Sequence, residues 1–410
     1  MAVNQYTKTE LEKQVARKVH KKSQQVELFD LPPDWKSYWW GMPRFENGDL
    51  HPQYTMTVSF MTKDDKLAFG KKLGIKINEA TPGIWFPTQQ RLKPGEYRYT
   101  GPKTDSRYPI CIPSKGRADC QTTGKCLDKM GVNYRFFVED NEYKKYCEHV
   151  GSEHVVKMPF HDLGKGSIPA RNYIWEWAKE KKCKRHWTVD DNIQNWYRAN
   201  HTRRLMVEGG GFFHAMEDFV DRYQNVAMAG PHHIGFCAVG HSKIDPVLWN
   251  SRVYSCILLD TSLPHRWRGR YNEDTDLSIR LLKDGYCTLL FHALMMKKGD
   301  TAGSKGHAMK GGNTDNVYNG GDHRLAFAQS LADQHPDVVK VVWRFNRWHH
   351  LVNYAPFARN TPVLKEGVTP VVLDNEYGMQ LIRGEKYDEP EEEVETSAEE
   401  DFSDQEGFEE

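Results

Sequence analysis

Residues 108–140 read YPICIPSKGRADCQTTGKCLDKMGVNYRFFVED. YPICIP is apolar and breaks at a polar glycine turn, SKG. DCQTTGKCLDKM (119–130) then reads as a helix, and NYRFFVED (133–140) returns to strand composition. The alternation continues with a helix over DNEYKKYCEHV (140–150), a strand over HVVKMPF (154–160), a helix over SIPARNYIWEWAKEKK (167–182) with Pro169 in its first turn, and a strand over HWTVDDN (186–192). Strands alternating with helices predict an α/β fold with a mostly parallel sheet and crossover helices. Ligands of such sheets gather at the C-terminal strand ends, where IPSKG, FFVED and TVDDN all fall.

Further along, GGFFHAMEDFVDRY (210–223) reads as a helix and NVAMAGPHH (225–233) as a strand. IGFCAVGHS and RVYSCILLDTS are expected to form a hairpin-like region. NEDTDLSIRLLKDGY (272–286) is a helix and CTLLFHALMM (287–296) a strand. A glycine-rich loop follows over 297–321, then a helix over 322–336 and a strand from 338. No internal repeat is visible. Upstream, residues 1–24 form a basic helical arm. Residues 25–100 suit a small α/β accessory module. YTMTVSFMT (54–62) alternates as a strand, and a helix begins at a capping Asp64 and packs through Leu67, Leu73 and Ile75. TPGIWFPTQQ (81–90) reads as an edge segment bounded by prolines. The main domain is expected over 107–383, and 384–410 is an acidic tail that composition marks as disordered.

Charge is unevenly spread. From Glu385 onward there are 14 acidic residues and one lysine, so an overall net charge of 0 leaves the rest of the chain at +13. A basic body suggests a polyanionic partner, nucleic acid or nucleotide phosphate. No apolar run reaches the roughly 20 residues that span a bilayer, and the N-terminus lacks the apolar core of a secretory signal. Eight cysteines occur without CxxC and without a Cys/His zinc spacing. That usage suits reduced thiols and a cytoplasmic location.

The acidic pair in TVDDN suits an oxygen-ligated divalent cation, Mg²⁺ or Mn²⁺, bridging a diphosphate. Taken alone it is a weak signal that reads more readily as an exposed turn with a capping Asp. Glu273, Asp274 and Asp276 open a helix, where the dipole favours carboxylates in any case. The same residues could place a base near an attacking hydroxyl. Ser114, Lys115 and Arg117 in IPSKGR, and Arg171 and Asn172 in SIPARN, face the same strand ends and could meet a base, ribose or phosphate.

The order IPSKGRAD, FFVE, LGKGSIPARNYIWEWA, TVDDN and NEDTDLSIRLLKDGY resembles glycosyltransferases of the GT-A fold, and more narrowly the TET-associated glycosyltransferases encoded by bacteriophages. The resemblance covers about residues 108–300. It implies transfer of a sugar from a nucleotide sugar, such as a UDP-sugar, to a hydroxymethylated pyrimidine in DNA. It assigns nucleotide contacts to Pro113, Ser114, Lys115, Gly116, Arg117, Glu139, Arg171, Asn172, Asp190 and Asp191. It places the metal at Asp191, Asn192 and a downstream histidine, His307, with His292 in its apolar run read as a core residue. It makes Asp274, with Glu273, the catalytic base. Asn192 departs from the Asp that many GT-A enzymes place there.

A DNA acceptor would need basic and aromatic contacts to offset extruding the base. RWRGR (Arg266, Trp267, Arg268, Arg270) and WRFNRWHH (Arg344, Arg347) offer them. Both clusters read alternatively as amphipathic packing with exposed arginine stems. A non-DNA acceptor and a non-catalytic nucleic-acid-binding relative are the rival readings.

Overall fold

The computed structural model describes residues 34–46, 54–86, 95–201, 203–237, 244–269, 271–299, 323–344, 346–371 and 373–384. The arm at 1–24, the acidic tail from Glu385, His307 and Arg270 lie outside them. The chain divides into two compact units, Met1–Trp40 and Gly41–Glu410. In the first, a 3-10 turn over Trp35–Ser37 is capped by Asp34, whose carboxylate accepts from the Lys36 amide.

In the second unit, helix α1 (Lys63–Leu73) forms where expected, but its cap differs. Thr62 is the N-cap, and its hydroxyl and the Asp65 carboxylate satisfy each other's backbone amides as a capping box. Leu67 and Leu73 are exposed rather than packed. The alternating segment 54–62 is not a strand. Its Tyr54, Met56 and Met61 are 93%, 82% and 96% exposed, so alternation here had no partner strand to serve.

From residue 110 the β–α alternation folds as its pattern dictates. Strands β2 (Ile110–Pro113), β3 (Tyr134–Val138), β4 (Val155–Lys157) and β5 (Arg185–Val189) run parallel in the order β4-β3-β2-β5. The crossovers are helices α2 (Thr122–Met130), α3 (Tyr143–Val150) and α4 (Ile168–Glu180). Every residue of β5 is buried, as expected of a strand covered on both faces. Ile174 of α4 packs on Cys111, Phe137 and Met158, and Trp175 packs on Trp267 and Leu277, so one helix turn joins two clusters.

Beyond β5 the sheet becomes mixed. Strands β6 (Ile193–Asn200), β7 (Arg203–Glu208), β8 (Val226–His233), β10 (Cys256–Asp260) and β11 (Cys287–Lys298) extend it. β10 lies antiparallel between β5 and β8, and IGFCAVGHS, the other half of the expected hairpin-like region, lies partly outside the described residues. β11 runs parallel to β8 and antiparallel to β6. β9 (Val247–Trp249) pairs with β11, while β1 (Tyr97–Thr100) and β14 (Gln380–Arg383) close the far edge. Helices α5 (Gly211–Asp221), α6 (Glu273–Lys283) and α7 (Arg324–Gln334) complete the described helices of the domain, and β12 (Val339–Arg344) with β13 (Arg347–Val352) forms a separate hairpin.

Asp276 locks α6 in place. Its fully buried carboxylate accepts from Arg268 at 3.0 Å, Arg280 at 2.8 Å and His335 Nε2 at 2.9 Å. Burial opposes its charge, but His335, Arg268 and Arg280 outweigh that and hold it at about 2. Asp276 is therefore a brace rather than a candidate base. None of the eight cysteines is in a disulfide. Among the described residues no helix is long and apolar enough to cross a membrane.

Candidate active site

The C-terminal ends of β2, β3 and β5 and the first turn of α4 enclose a cleft of about 240 Å³. The turn after β5 is fixed from behind by Thr123 of α2. Its hydroxyl donates to the Asp190 carbonyl at 2.7 Å and accepts from the Ile193 amide at 2.8 Å. From the other side, the Asp190 amide donates to the Ser255 carbonyl at 2.7 Å. The two adjacent carboxylates therefore point in set directions and meet different cations.

Asp191 is paired to Arg117 Nη1 through one oxygen and accepts from Ser114 Oγ at 2.6 Å through the other. Ser114 is in turn held by the Tyr146 hydroxyl at 2.7 Å. Burial pushes the Asp191 carboxyl up, and Arg117 and Ser114 only partly offset it. Asp190 accepts from Lys298 Nζ at 2.7 Å and Arg171 Nη2 at 3.0 Å. Burial again opposes its charge, but Lys298 and Arg171 prevail and hold it below the ordinary carboxylate range. The positive partners of the acidic pair are thus three side chains of the protein.

Arg171 is 5% exposed, lies 4.7 Å over the Trp267 ring, and sits 3.8 Å from Glu273 Oε1. Its Nε and Nη1 make no hydrogen bond within the protein, although Arg171 lines the cleft. Both atoms are shielded from solvent, where guanidinium donors normally find acceptors. Glu273 accepts from Ser167 Oγ at 2.7 Å, which joins the first turn of α6 to that of α4. Asp274, beside it, accepts the Thr275 amide through Oδ1, and its charge bears on both Arg171 and Lys298.

On the opposite wall Lys115 Nζ donates to Glu139 and Asp162, each at 2.6 Å. Gly116, with φ of 68°, turns its amide onto both Glu142 oxygens at 2.9 Å, so this amide is already engaged. Pro113, Ser114, Lys115, Arg117, Glu139 and Arg171 line the cleft together with Asp190, Asp191 and Asn192. Asn172 does not. It bonds the Trp267 backbone in both directions at 2.9 Å.

Two of the expected metal ligands, Asp191 and Asn192, line the cleft and already have protein partners. Asp191 is occupied as described, and the Asn192 amide donates to the Gly299 carbonyl at 2.9 Å. His292 is buried, as its apolar run suggests. The RWRGR reading also changes. Trp267 is 2% exposed and forms part of the core. Arg266 is held by Glu176 at 2.5 Å over Trp175, and Arg268 by Asp276. By contrast, the β12–β13 hairpin brings Arg344 opposite Arg347 beside Trp343 and Trp348, whose rings meet edge-on at 5.1 Å and are 55% and 36% exposed.

Lys298 is the site residue that the sequence did not reveal. It ends an apolar strand in a KK pair that reads as a solvated strand end. Only the β6–β11 pairing carries it back to the cleft.

A parallel strand–helix block with a charge-compensated acidic turn at its strand ends is compatible with a Rossmann-like glycosyltransferase fold. Residues 108–307 match the family model of the TET-Associated Glycosyltransferases, which supports a glycosyltransferase domain over those residues. No curated protein matches the chain.

Proposed function

We propose that the cleft binds a nucleoside-diphosphate sugar, a UDP-sugar, and that the domain passes the sugar to the hydroxymethyl group of a pyrimidine in DNA, 5-hydroxymethylcytosine. The observation that carries this reading is Arg171, a buried guanidinium of the cleft lining with two donors that hydrogen-bond nothing in the protein, beside Lys298. Fixed cations of this kind stabilise charge as it develops on a leaving diphosphate. The acceptor oxygen attacks the anomeric carbon as its proton passes to Asp274. The bond from that carbon to the diphosphate breaks, and its electron pair stays on the phosphate oxygen. Glu273, fixed by Ser167, keeps Arg171 aligned.

A divalent cation fits this site at Asp190, which has more side-chain exposure (19%) than Asp191 (9%) and spare lone pairs. Mg²⁺ and Mn²⁺ are commonly held by one or two carboxylates together with substrate phosphates. Such an ion would neutralise the diphosphate.

The direct experiment incubates the protein with a panel of nucleotide sugars and DNA containing 5-hydroxymethylcytosine, with mass analysis of the digested nucleosides. A sugar adduct is expected with at least one donor, and Asp274→Asn should reduce it about 10²-fold or more. No adduct with any donor, with or without Mn²⁺, would refute the reading.

The hairpin bearing Trp343 and Trp348 is the surface that best suits exposed bases, which stack on aromatic faces for about 1–3 kcal/mol each. Replacing both by Ala should weaken binding of single-stranded DNA about tenfold or more in a fluorescence titration. Unchanged binding would favour the second reading, a non-DNA acceptor. That alternative draws on the internal engagement of Arg266, Trp267 and Arg268.

A further inference from the structure

Strand β11 is irregular where it passes β8. Phe291 pairs with Pro231, yet the next pair is Met295 with His232, so residues 292–294 bulge out of the ladder. The Pro246 carbonyl accepts both the His292 and the Ala293 amides, at 2.8 and 2.9 Å, and holds the bulge open. Bulges commonly re-aim a side chain. Here the bulge brings His292 against His232, with ring centroids 5.1 Å apart. After β8 a turn pinned by the bond from the Ile234 amide to the Met296 carbonyl (2.9 Å) returns Cys237 to the same place, with its sulfur 3.8 Å from the His292 carbonyl.

The three side chains are 1%, 2% and 9% exposed for His232, Cys237 and His292. One donor atom from each lies within 4.8 Å of the others. Three ligands at bond lengths of about 2.0–2.3 Å would need only modest contraction from that spacing. The ring of His292 is also oriented as a metal ligand's would be. Its Nδ1 lies 3.0 Å from the Asp245 carbonyl. A carbonyl only accepts, so Nδ1 carries the hydrogen and Nε2 keeps its lone pair. A backbone carbonyl behind the far nitrogen is a recurring support of metal-bound histidine.

We propose that His232, Cys237 and His292 bind a zinc-class divalent ion that ties the bulge of β11 to the turn after β8. A thiolate and two imidazoles form a borderline-soft donor set that suits zinc and disfavours Mg²⁺. This centre is separate from the carboxylates of the cleft and serves the architecture of the sheet. His232 and Cys237 are 5 residues apart but His292 follows 55 residues later, so no compact Cys/His spacing announces it.

The test is metal analysis of the purified full-length protein after dialysis in metal-free buffer. About one zinc per chain is expected. Cys237→Ser and His292→Gln should each lose most of it, whereas Cys120→Ser, at an exposed cysteine, should retain it. Co²⁺ loaded in place of zinc should give thiolate-to-metal charge-transfer absorption that Cys237→Ser abolishes. The proposal is overturned by wild-type protein from zinc-supplemented cultures that holds no zinc and shows no charge-transfer band with Co²⁺. Equal zinc in wild type and both ligand variants overturns it as well. The cobalt band is read on wild type, so the test survives misfolding of a variant. Neither readout uses a sugar donor or DNA, so this proposal and the transferase reading fail separately.

Discussion

Arg171→Lys should lower kcat/KM for sugar transfer by about 10²- to 10³-fold, the usual loss when one preorganised donor to a developing charge is removed. The substitution keeps a positive charge near Asp190, but Lys cannot reproduce the planar fork. In the native site Nη2 bonds Asp190 at 3.0 Å while Nε and Nη1, both buried, hydrogen-bond nothing in the protein. A lysine ammonium could satisfy Asp190 but could not also present two fixed donors to a diphosphate. The loss should therefore fall mainly on kcat, with donor affinity changing less. The thermal midpoint should move little, because the ion pair with Asp190 survives. Steady-state rates on 5-hydroxymethylcytosine DNA with varied donor decide the matter. Activity within threefold of wild type would remove Arg171 from the transfer step.

Asp276→Asn should destabilise the protein by about 3 kcal/mol at neutral pH, within the range for breaking a buried pair on one side. Three donors, from Arg268, Arg280 and His335, converge on this carboxylate. His335 Nδ1 lies 3.3 Å from Lys283 Nζ, which can only donate, so Nε2 carries the hydrogen given to Asp276. The pH dependence has a definite sign. The folded carboxyl lies at about 2 against an ordinary value of 3.8. Its contribution, on the order of 2 kcal/mol, is fully present above about pH 4 and is lost as pH falls through about 2. The stability gap between wild type and Asp276→Asn should accordingly narrow below pH 4. Thermal unfolding between pH 7 and pH 2.5 measures it. A gap that stays constant across that range would show that Asp276 does not carry the acid sensitivity.

The parallel block was legible because its strands are continuous apolar runs punctuated by polar glycine turns, and such runs need helices on both faces. The residues at those turns were legible for the same reason, since a chain turning at a strand end leaves its polar side chains there. Other features were hidden by physics that acts across the chain. Lys298 reaches Asp190 only because β11 is laid beside β6. Trp267 stands among arginines and looks like surface, yet Arg171 and Trp175 close over it. The alternation in 54–62 was real, but with no neighbouring strand it did not produce one. Nothing near Asn192 in the chain shows that its Nδ2 donates to the Gly299 carbonyl, 107 residues on.

Strand β11 carries His292 in its bulge and Lys298 at its end, six positions apart. At no more than about 3.3 Å per residue it spans at most roughly 20 Å, less what the bulge and the register shift at Lys297/Lys298 take up, and along its regular part it also counts parity, because each single step turns a side chain to the opposite face of the sheet. The strand therefore acts as a ruler with a phase. Removing one residue between the two positions would change the reach little, yet it would turn the Lys298 ammonium away from Asp190. Removing two would restore the face while shortening the reach. The position of Lys298 depends on how many residues the bulge takes up as well as on its chemistry.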